Sequence, residues 1–259
     1  MENPSHDNIF IGIVTHRREE FLIKLLESLK DFTGELVVYK DGNQYPYYNV
    51  PCGTNLIESA TNNGVGFAKN EIIKLFKKSD KEHLFIIEDD VLIKDLSVFQ
   101  YFIDFSETTG VKHTNWNNCT ATIDTKRFEV QYDKDDYMTA VINRDCSGSF
   151  QYFHNDIIDR FYIDLKYRNA WEHIDVELQL CMKGLIPPFW AFITPKHCKD
   201  YLEMQDGGNS STITKEENYQ NELLEGLEYF NKKWGFSVMQ IPRVSDEMVT
   251  QYLIDIGGY

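Results

Sequence analysis

His83-Leu84-Phe85-Ile86-Ile87-Glu88-Asp89-Asp90-Val91 is the stretch from which the fold can be read. Leu84 to Ile87 form an unbroken apolar run, and three carboxylates follow it directly. A short apolar run bounded by polar residues reads as a strand buried on both faces, as in a parallel sheet. Glu88, Asp89 and Asp90 then stand at its carboxyl end, where open α/β sheets bind ligands. Three adjacent carboxylates repel one another and contribute nothing to a core. They suit a divalent cation, because Mg²⁺ and Mn²⁺ take hard oxygen ligands and commonly bridge to substrate phosphates. The competing reading is a solvated acidic turn.

Upstream of this stretch, strand and helix patterns alternate. Phe10-Ile11-Gly12-Ile13-Val14 reads as a first strand and Thr15-His16-Arg17-Arg18 as its loop; Phe21, Leu22, Leu25, Leu26 and Leu29 then recur at helical spacing. Arg17 and Arg18 stand between strand end and helix start, where an anionic ligand can be met; alternatively they are surface cations that solvate the helix start. Leu36 to Tyr39 reads as a second strand, ending in the turn Lys40-Asp41-Gly42-Asn43. There Asp41 can hydrogen-bond a nucleoside base or ribose, or only shape the turn. Thr54 to Ser59 predicts a short third strand, and Thr61 to Phe67 a glycine-bearing loop. Ala68, Ile72, Ile73, Leu75 and Phe76 carry a helix to Lys78. This alternation over residues 9–93 predicts a parallel, right-handed α/β unit.

Downstream, Leu96 to Phe105 predicts a helix, and the polar residues 110–136 an irregular or antiparallel segment. Tyr137–Ile142, Phe150–Phe153 and Phe189–Ile193 predict strands, Ile157, Ile158 and Phe161 a short helix, and Glu216–Trp234 a longer one. Residues 205–214, rich in Gly and Ser, are a candidate lid. Trp171 to Leu180 is the second informative stretch. Ile174, Leu178 and Cys181 share a helical face, and Lys183-Gly184 ends the helix with a cation followed by glycine. In its first turn Glu172 suits the helix dipole, and the dipole's positive end disfavours protonation of His173. With Asp175, three proton-accepting groups lie within one turn. His197 follows Thr194-Pro195-Lys196, just past a predicted strand.

The 259 residues are 42% hydrophobic and 14% aromatic, enough for a substantial core. A net charge of −15 gives no help in binding nucleic acid or an anionic membrane. No apolar run is long enough for a transmembrane helix, and Met1 to Asn8 lacks a signal-peptide pattern. The cysteines at 52, 119, 146, 181 and 198 are odd in number and form no CxxC pair, which predicts reduced thiols in a cytoplasmic protein.

In order and spacing these motifs resemble the GT-A glycosyltransferases, in particular glycosyltransferase family 2, over residues 9 to 235. Asp41-Gly42 matches the acidic end of that family's second strand. Asn62-Asn63-Gly64-Val65-Gly66-Phe67-Ala68-Lys69-Asn70 matches its Asn-x-Gly-x-x-x-Ala-Arg-Asn pattern, with Lys69 for Arg. Glu88-Asp89-Asp90 stands at the Asp-x-Asp metal motif. Glu172-His173-Ile174-Asp175-Val176 stands at the Glu-Asp-x-Asp-Leu helix start, so His173 takes the place of the usual catalytic aspartate. His197, 24 residues after His173, matches a metal-binding histidine of some relatives. Tyr229 to Gly235 also looks like the family's ending.

The resemblance implies an α/β, GT-A (Rossmann-like) fold: a mixed, mostly parallel sheet flanked by helices, with a C-terminal helical extension. It implies a glycosyltransferase domain over residues 1–235, with a nucleotide-sugar half over 1–95 and an acceptor half over 96–235, and a tail over 236–259. The implied activity is metal-dependent, inverting transfer of a hexose or pentose from a nucleoside-diphosphate sugar to an acceptor hydroxyl. A glycan or glycolipid acceptor is favoured over nucleic acid, where a modified DNA base would be the target. Asp90, Glu88 and His197 would hold Mn²⁺ or Mg²⁺, the histidine favouring Mn²⁺. Thr15, Arg17, Asp41, Asn63, Gly64, Lys69, Glu88, Asp89 and Trp171 would bind substrate, with Asp41, Thr15 and Arg17 toward the nucleoside. His173, Asp175 and Glu172 are the candidates for the base. Two other functions use the same residues: a non-catalytic GT-A-like protein that binds nucleotide sugar or glycan, and a sugar nucleotidyltransferase. The latter usually carries a glycine- and arginine-rich first loop, and Thr15 to Arg18 has no glycine.

Overall fold

A computed structural model describes residues 6–117, 125–206, 213–215 and 218–257. The first half runs β1 (Ile9–Thr15), α1 (Glu19–Ser28), β2 (Glu35–Lys40), β3 (Leu56–Glu58), α2 (Val65–Phe76), β4 (His83–Glu88), β5 (Val91–Ile93) and α3 (Ser97–Thr109). The second half runs β6 (His113–Asn115), β7 (Lys126–Gln131), β8 (Thr139–Asn143), β9 (Phe150–His154), α4 (Glu172–Met182), β10 (Phe192–Pro195), α5 (Cys198–Tyr201), β11 (Leu202–Met204), α6 (Tyr219–Trp234) and α7 (Asp246–Gly257).

The central sheet has the order β3-β2-β1-β4-β9-β6. β1 pairs in parallel with β2 and β4, and β2 with β3, while β9 is antiparallel to both β4 and β6. Alternation along β1 and β4 sends side chains to opposite faces. Ile9, Ile11, Ile13, Phe85 and Ile87 pack on one face with Leu22 and Leu25 of α1 and Phe99 and Phe102 of α3. Phe10, Val14, Leu84 and Ile86 pack on the other with Ile72 and Phe76 of α2 and Val176 and Leu180 of α4. Both faces are therefore dry, which explains why the Leu84–Ile87 run carries no polar residue. A second, antiparallel sheet has the order β10-β8-β7, and β5 and β11 form a separate antiparallel ribbon.

Register fixes what meets at the strand ends. Val14 pairs with Glu88 and Thr15 with Lys40. The Asp41 N–H donates to Thr15 O (3.0 Å), and the Asp89 N–H to Val14 O (3.1 Å). Asp41 and Asp89 thus flank the end of β1.

Several expected elements differ in position. The strand expected at Phe189–Ile193 runs Phe192–Pro195 instead, because Trp190 takes a positive φ of 69° and the Ala191 N–H turns back to Pro188 O. The short helix expected around Ile157–Phe161 is a single 3₁₀ turn, Asn155–Ile157. Residues 246–257, read from sequence as part of a polar tail, form α7; its Val249 and Leu253 are fully buried beside Phe105, Ala140 and Ile142. Four cysteines, Cys52, Cys146, Cys181 and Cys198, are free, and Cys119 lies outside the described residues, as does most of the lid expected at 205–214. Among the described residues, no helix is long and apolar enough to cross a membrane.

Candidate active site

The carboxyl ends of β1 and β4, the turn after β2, the loop before β9 and the starts of α2 and α4 enclose a cleft of about 250 Å³. Thr15, His16, Arg18, Asp41, Asn62, Gly64, Glu88, Ser147, Gly148, Ser149, Glu172 and His173 are among the residues that line it.

At the acidic end of β4 the three carboxylates have separate fates. Asp89 is fully buried: it accepts from Thr15 Oγ1 at 2.7 Å and pairs with Arg18 Nη2 at 2.5 Å. Burial pushes its carboxyl up to about 6, against the pull of Arg18. Asp90 pairs through Oδ2 with Arg18 Nη1 at 2.9 Å, and the same nitrogen reaches Asp206 Oδ2 at 3.4 Å. Burial raises Asp90 to about 7, with Arg18 opposing and Glu88 and Asp89 adding to the rise. Burial works against the Arg18 charge, but Asp89, Asp90 and Glu88 outweigh it and hold the guanidinium above its ordinary value. Arg17, the neighbour singled out from sequence, stands at φ 62° with its guanidinium 4.1 Å from the Tyr45 ring centre.

Glu88 turns the other way. Its Oε1 lies 2.9 Å from Lys69 Nζ, which is fully buried and also reaches Glu172 Oε1 at 2.9 Å and Gly148 O at 2.8 Å. Lys69 therefore joins the end of β4 to the first turn of α4. Burial would raise Glu172, yet Lys69 and then His173 hold its carboxyl well below the usual carboxylate range. Burial likewise opposes the Lys69 charge and is outweighed by Glu172 and Glu88. His173 Nδ1 lies 3.4 Å from Glu172 Oε1. Gly148 permits this closeness: a Cβ there would stand 2.9 Å from Lys69 Nζ and 3.2 Å from the His173 ring.

Asp175, two residues on, is not among the cleft-lining side chains. It is fully buried and accepts from Gln179 Nε2, Lys233 Nζ and Trp234 Nε1, each at 2.8 Å, and from Tyr167 OH at 3.3 Å. These donors tie α4 to α6. Trp171, at φ 76°, also faces α6, where its Nε1 donates to Leu223 O at 3.0 Å.

At the nucleoside end, Asp41 accepts from the Asn63 N–H (3.0 Å), the Gly64 N–H (2.6 Å) and Ser59 Oγ (2.9 Å). Its side chain fixes the glycine loop. Gly64 stands at φ 98°, and a Cβ there would lie 2.6 Å from Arg168 O, so only glycine fits. The Asn63 side chain donates to Thr61 O. His16 Nδ1 meets Asp41 O at 2.5 Å and its Nε2 meets Asn62 Nδ2 at 3.2 Å. The carbonyl requires a donor and the amide an acceptor, so Nδ1 donates to Asp41 O and Nε2 accepts from Asn62.

His197 is placed elsewhere. Its Nε2 lies 3.0 Å from Asp136 O, its Nδ1 3.5 Å from Asp200, and its ring stacks on Tyr137. β11 pairs antiparallel with β5, with Leu202 opposite Ile93 and Met204 opposite Val91. The chain thus approaches Asp90 after Met204 and not before Leu202: the Gln205 N–H donates to Asp90 O at 2.7 Å.

Among the described residues, no three His, Cys, Asp or Glu side chains converge as a metal cage; the Arg18 guanidinium lies between Asp90 and Asp206. The donor chemistry nevertheless fits a hard cation. Among the described residues none donates a hydrogen bond to the buried Asp90 Oδ1, a costly state for a carboxylate oxygen unless a ligand meets it.

Sequence reasoning did not single out Arg18 for the acidic end, Ser147-Gly148-Ser149, or Asp206. Nothing distinguishes Arg18 from Arg17 until the loop conformation is known. Ser149 reaches the site because its O accepts from the Glu88 N–H at 2.8 Å across the β4–β9 pair. That long-range antiparallel pairing leaves no local signal.

No protein-family model and no curated protein matches the chain. Among solved structures it is similar to S. aureus TarS 1-349, at 14% identity and a TM-score of 0.50, over 96% of this chain and 78% of that one. It is similar to the same fragment in complex with UDP-GlcNAc, at 16% identity and a TM-score of 0.48, over 96% and 79%. It is also similar to the mannosyltransferase PcManGT from Pyrobaculum calidifontis in complex with GDP-Man and Mn²⁺, at 10% identity and a TM-score of 0.49, over 97% and 72%. At such identities the likeness concerns architecture, and the first of the three supports the conclusion that the chain has a GT-A-like α/β fold, with a mostly parallel central sheet flanked by helices.

Proposed function

We propose that the protein is a metal-dependent, inverting glycosyltransferase that moves a sugar from a nucleoside-diphosphate sugar to an acceptor hydroxyl, with His173 as general base. The observation that carries this reading is the meeting, in one cleft, of the acidic end of β4 and a histidine in the first turn of α4. His173 Nδ1 faces the Glu172 carboxylate, which leaves Nε2 to take the proton of the acceptor hydroxyl as its oxygen attacks the anomeric carbon. Attack opposite the departing diphosphate inverts that carbon. Glu172, kept ionised by Lys69, orients the imidazole and steadies the imidazolium that forms. Glu172 and Lys69 are thus positioning residues, and Asp175, held by four donors, is an anchor for α4.

Charge develops on the leaving diphosphate. Arg18, on the cleft wall, supplies a guanidinium that can contact phosphate. A divalent cation held at the acidic end of β4, with Asp90 as the principal ligand, would supply Lewis-acid neutralisation of the same charge. His16 and the loop fixed by Asp41 form the wall for the nucleoside; Thr15 and Asp89 support it from beneath. The net charge of −15 favours a glycan or glycolipid acceptor over nucleic acid.

The test is a panel of nucleotide sugars incubated with the purified protein and Mn²⁺. Release of nucleoside diphosphate from one donor, lost in His173→Ala, is the expected result. Release of pyrophosphate would favour a nucleotidyltransferase, and binding without turnover a non-catalytic nucleotide-sugar protein.

A further inference from the structure

We propose that Asp206 is the second carboxylate of the cation site, paired with Asp90, and that Arg18 is its resident counter-ion, displaced from both when a dication binds. This rests on the reading of the β4 end as the donor site. One nitrogen, Arg18 Nη1, touches Asp90 Oδ2 at 2.9 Å and Asp206 Oδ2 at 3.4 Å. Two carboxylates remote in sequence therefore converge on one small cationic centre. The β5–β11 ribbon brings them together, and the Gln205–Asp90 backbone bond locks that approach.

The independent sign of a ligand is Asp90 itself. The residue is 6% exposed, and among the described residues its buried Oδ1 receives no hydrogen bond. Among the described residues, Arg18 donates to one oxygen of this carboxylate and no hydrogen bond reaches the other, whereas a dication can engage both oxygens. Charge balance points the same way. Two cations, Arg18 and Lys69, are shared among the four carboxylates of Glu88, Asp89, Asp90 and Glu172. The excess negative charge is what a dication would neutralise.

Arg18 is built to let go of part of this cluster. Its Nη2 holds Asp89, which Thr15 also fixes, so that contact anchors the side chain while Nη1 exchanges. Nη1, once released, is free for a phosphate oxygen of the donor. Without His197 the protein ligands are all oxygens, so the histidine-based preference for Mn²⁺ disappears and Mg²⁺ is an equally suitable occupant.

The test is Mn²⁺ titration of the full chain, followed by the electron paramagnetic resonance of free Mn²⁺, with and without nucleoside diphosphate. Wild type, Asp206→Asn, Arg18→Gln and His197→Ala are compared, with thermal melting to establish that each is folded. Asp206→Asn should weaken Mn²⁺ by about tenfold or more. Arg18→Gln, which removes the competing charge, should tighten it by about tenfold in the absence of nucleotide. His197→Ala should leave the affinity unchanged. An unaffected Asp206→Asn beside a weakened His197→Ala overturns the assignment while leaving the cation reading intact. Weaker binding in Arg18→Gln overturns the counter-ion role. Absence of Mn²⁺ binding by wild type in both conditions removes the cation site, and the metal dependence of the proposed function with it.

Discussion

The two ends of β4 bury titratable side chains in opposite ways. At the start, His83 is 6% exposed, with its Nδ1 3.1 Å from Tyr152 OH and its ring 5.4 Å from that of His154. Among the described residues no carboxylate forms an ion pair with it, and burial lowers its pKa to about 4. At the finish of this six-residue strand, Asp89 and Asp90 are also withdrawn from water and Glu88 partly so, but Lys69 and Arg18 are brought in from other elements to meet them. One end stays neutral and the other assembles countercharges. Paired buried charges are a poor route to stability, since a well-packed apolar substitute is often neutral or better. Their concentration at the carboxyl end of the parallel strands is what the proposed function accounts for, whereas burial alone accounts for the lone histidine at the opposite end.

The largest effect that would sharpen this contrast is on rate. His173→Ala should lower kcat/KM by about two to four orders of magnitude, with nucleotide-sugar binding retained by calorimetry. A loss below about tenfold would place the base elsewhere and weaken the claim that the charged end is catalytic. Next in size is Lys69→Met. Removing the shared cation leaves Glu172 and Glu88 facing each other without compensation, and breaking a buried pair in this way costs about 3–5 kcal/mol. Urea unfolding measures it. Lys69→Arg, which restores the residue of the family pattern, should recover much of the loss.

Asp175→Ala comes third, at about 3 kcal/mol in urea unfolding, because Lys233 keeps a second partner in Asp164 at 3.1 Å. The protein that remains folded should still turn over donor. A catalytic loss as severe as that of His173→Ala, with stability kept, would exchange the roles of the two residues and make Asp175 the base.

Much of this was legible in the chain. The Leu84–Ile87 run and its acidic end predicted a doubly covered parallel strand, because burial on both faces excludes polar residues whatever the neighbours are. Helical spacing likewise located α2 and α4. What failed to show was pairing between distant segments. The interval from His173 points to His197 as a metal ligand, but an interval along the chain does not encode how the β5–β11 ribbon turns, and the residue that the ribbon carries to Arg18, beside Asp90, is Asp206. Asp175 and His173 look alike as proton acceptors one turn apart; only the donors from α6 show which of them is closed off. Lys69 was found through a motif, while its role as a bridge needed Glu88 and Glu172 in place. α7 was hidden because Val249 and Leu253 are isolated apolar residues in a polar stretch, and their value lies in the cavity they fill rather than in their number.

The smallest prediction concerns the neutral end of β4. The folded pKa of His83, about 4, lies below its ordinary 6.5. The unfolded chain therefore binds this proton more tightly, and protonation favours unfolding. The contribution of His83 is fully present above pH 6.5 and is lost as pH falls from there toward about 4. Glu172 has the depressed pKa of a paired carboxylate. Its contribution is present above the ordinary carboxylate range and disappears only at lower pH, so the two windows separate. His154 and His6 are lowered by burial as well and act in the same sense as His83. Asp89 and Asp90, raised by burial, act in the opposite sense, so the informative quantity is the difference between variant and wild type. As pH falls from 6.5 to about 4, the urea midpoint of His83→Gln should rise relative to that of wild type. If the two midpoints shift in parallel through that window, His83 is not held neutral by burial, and the contrast between the two ends of the strand loses its physical basis.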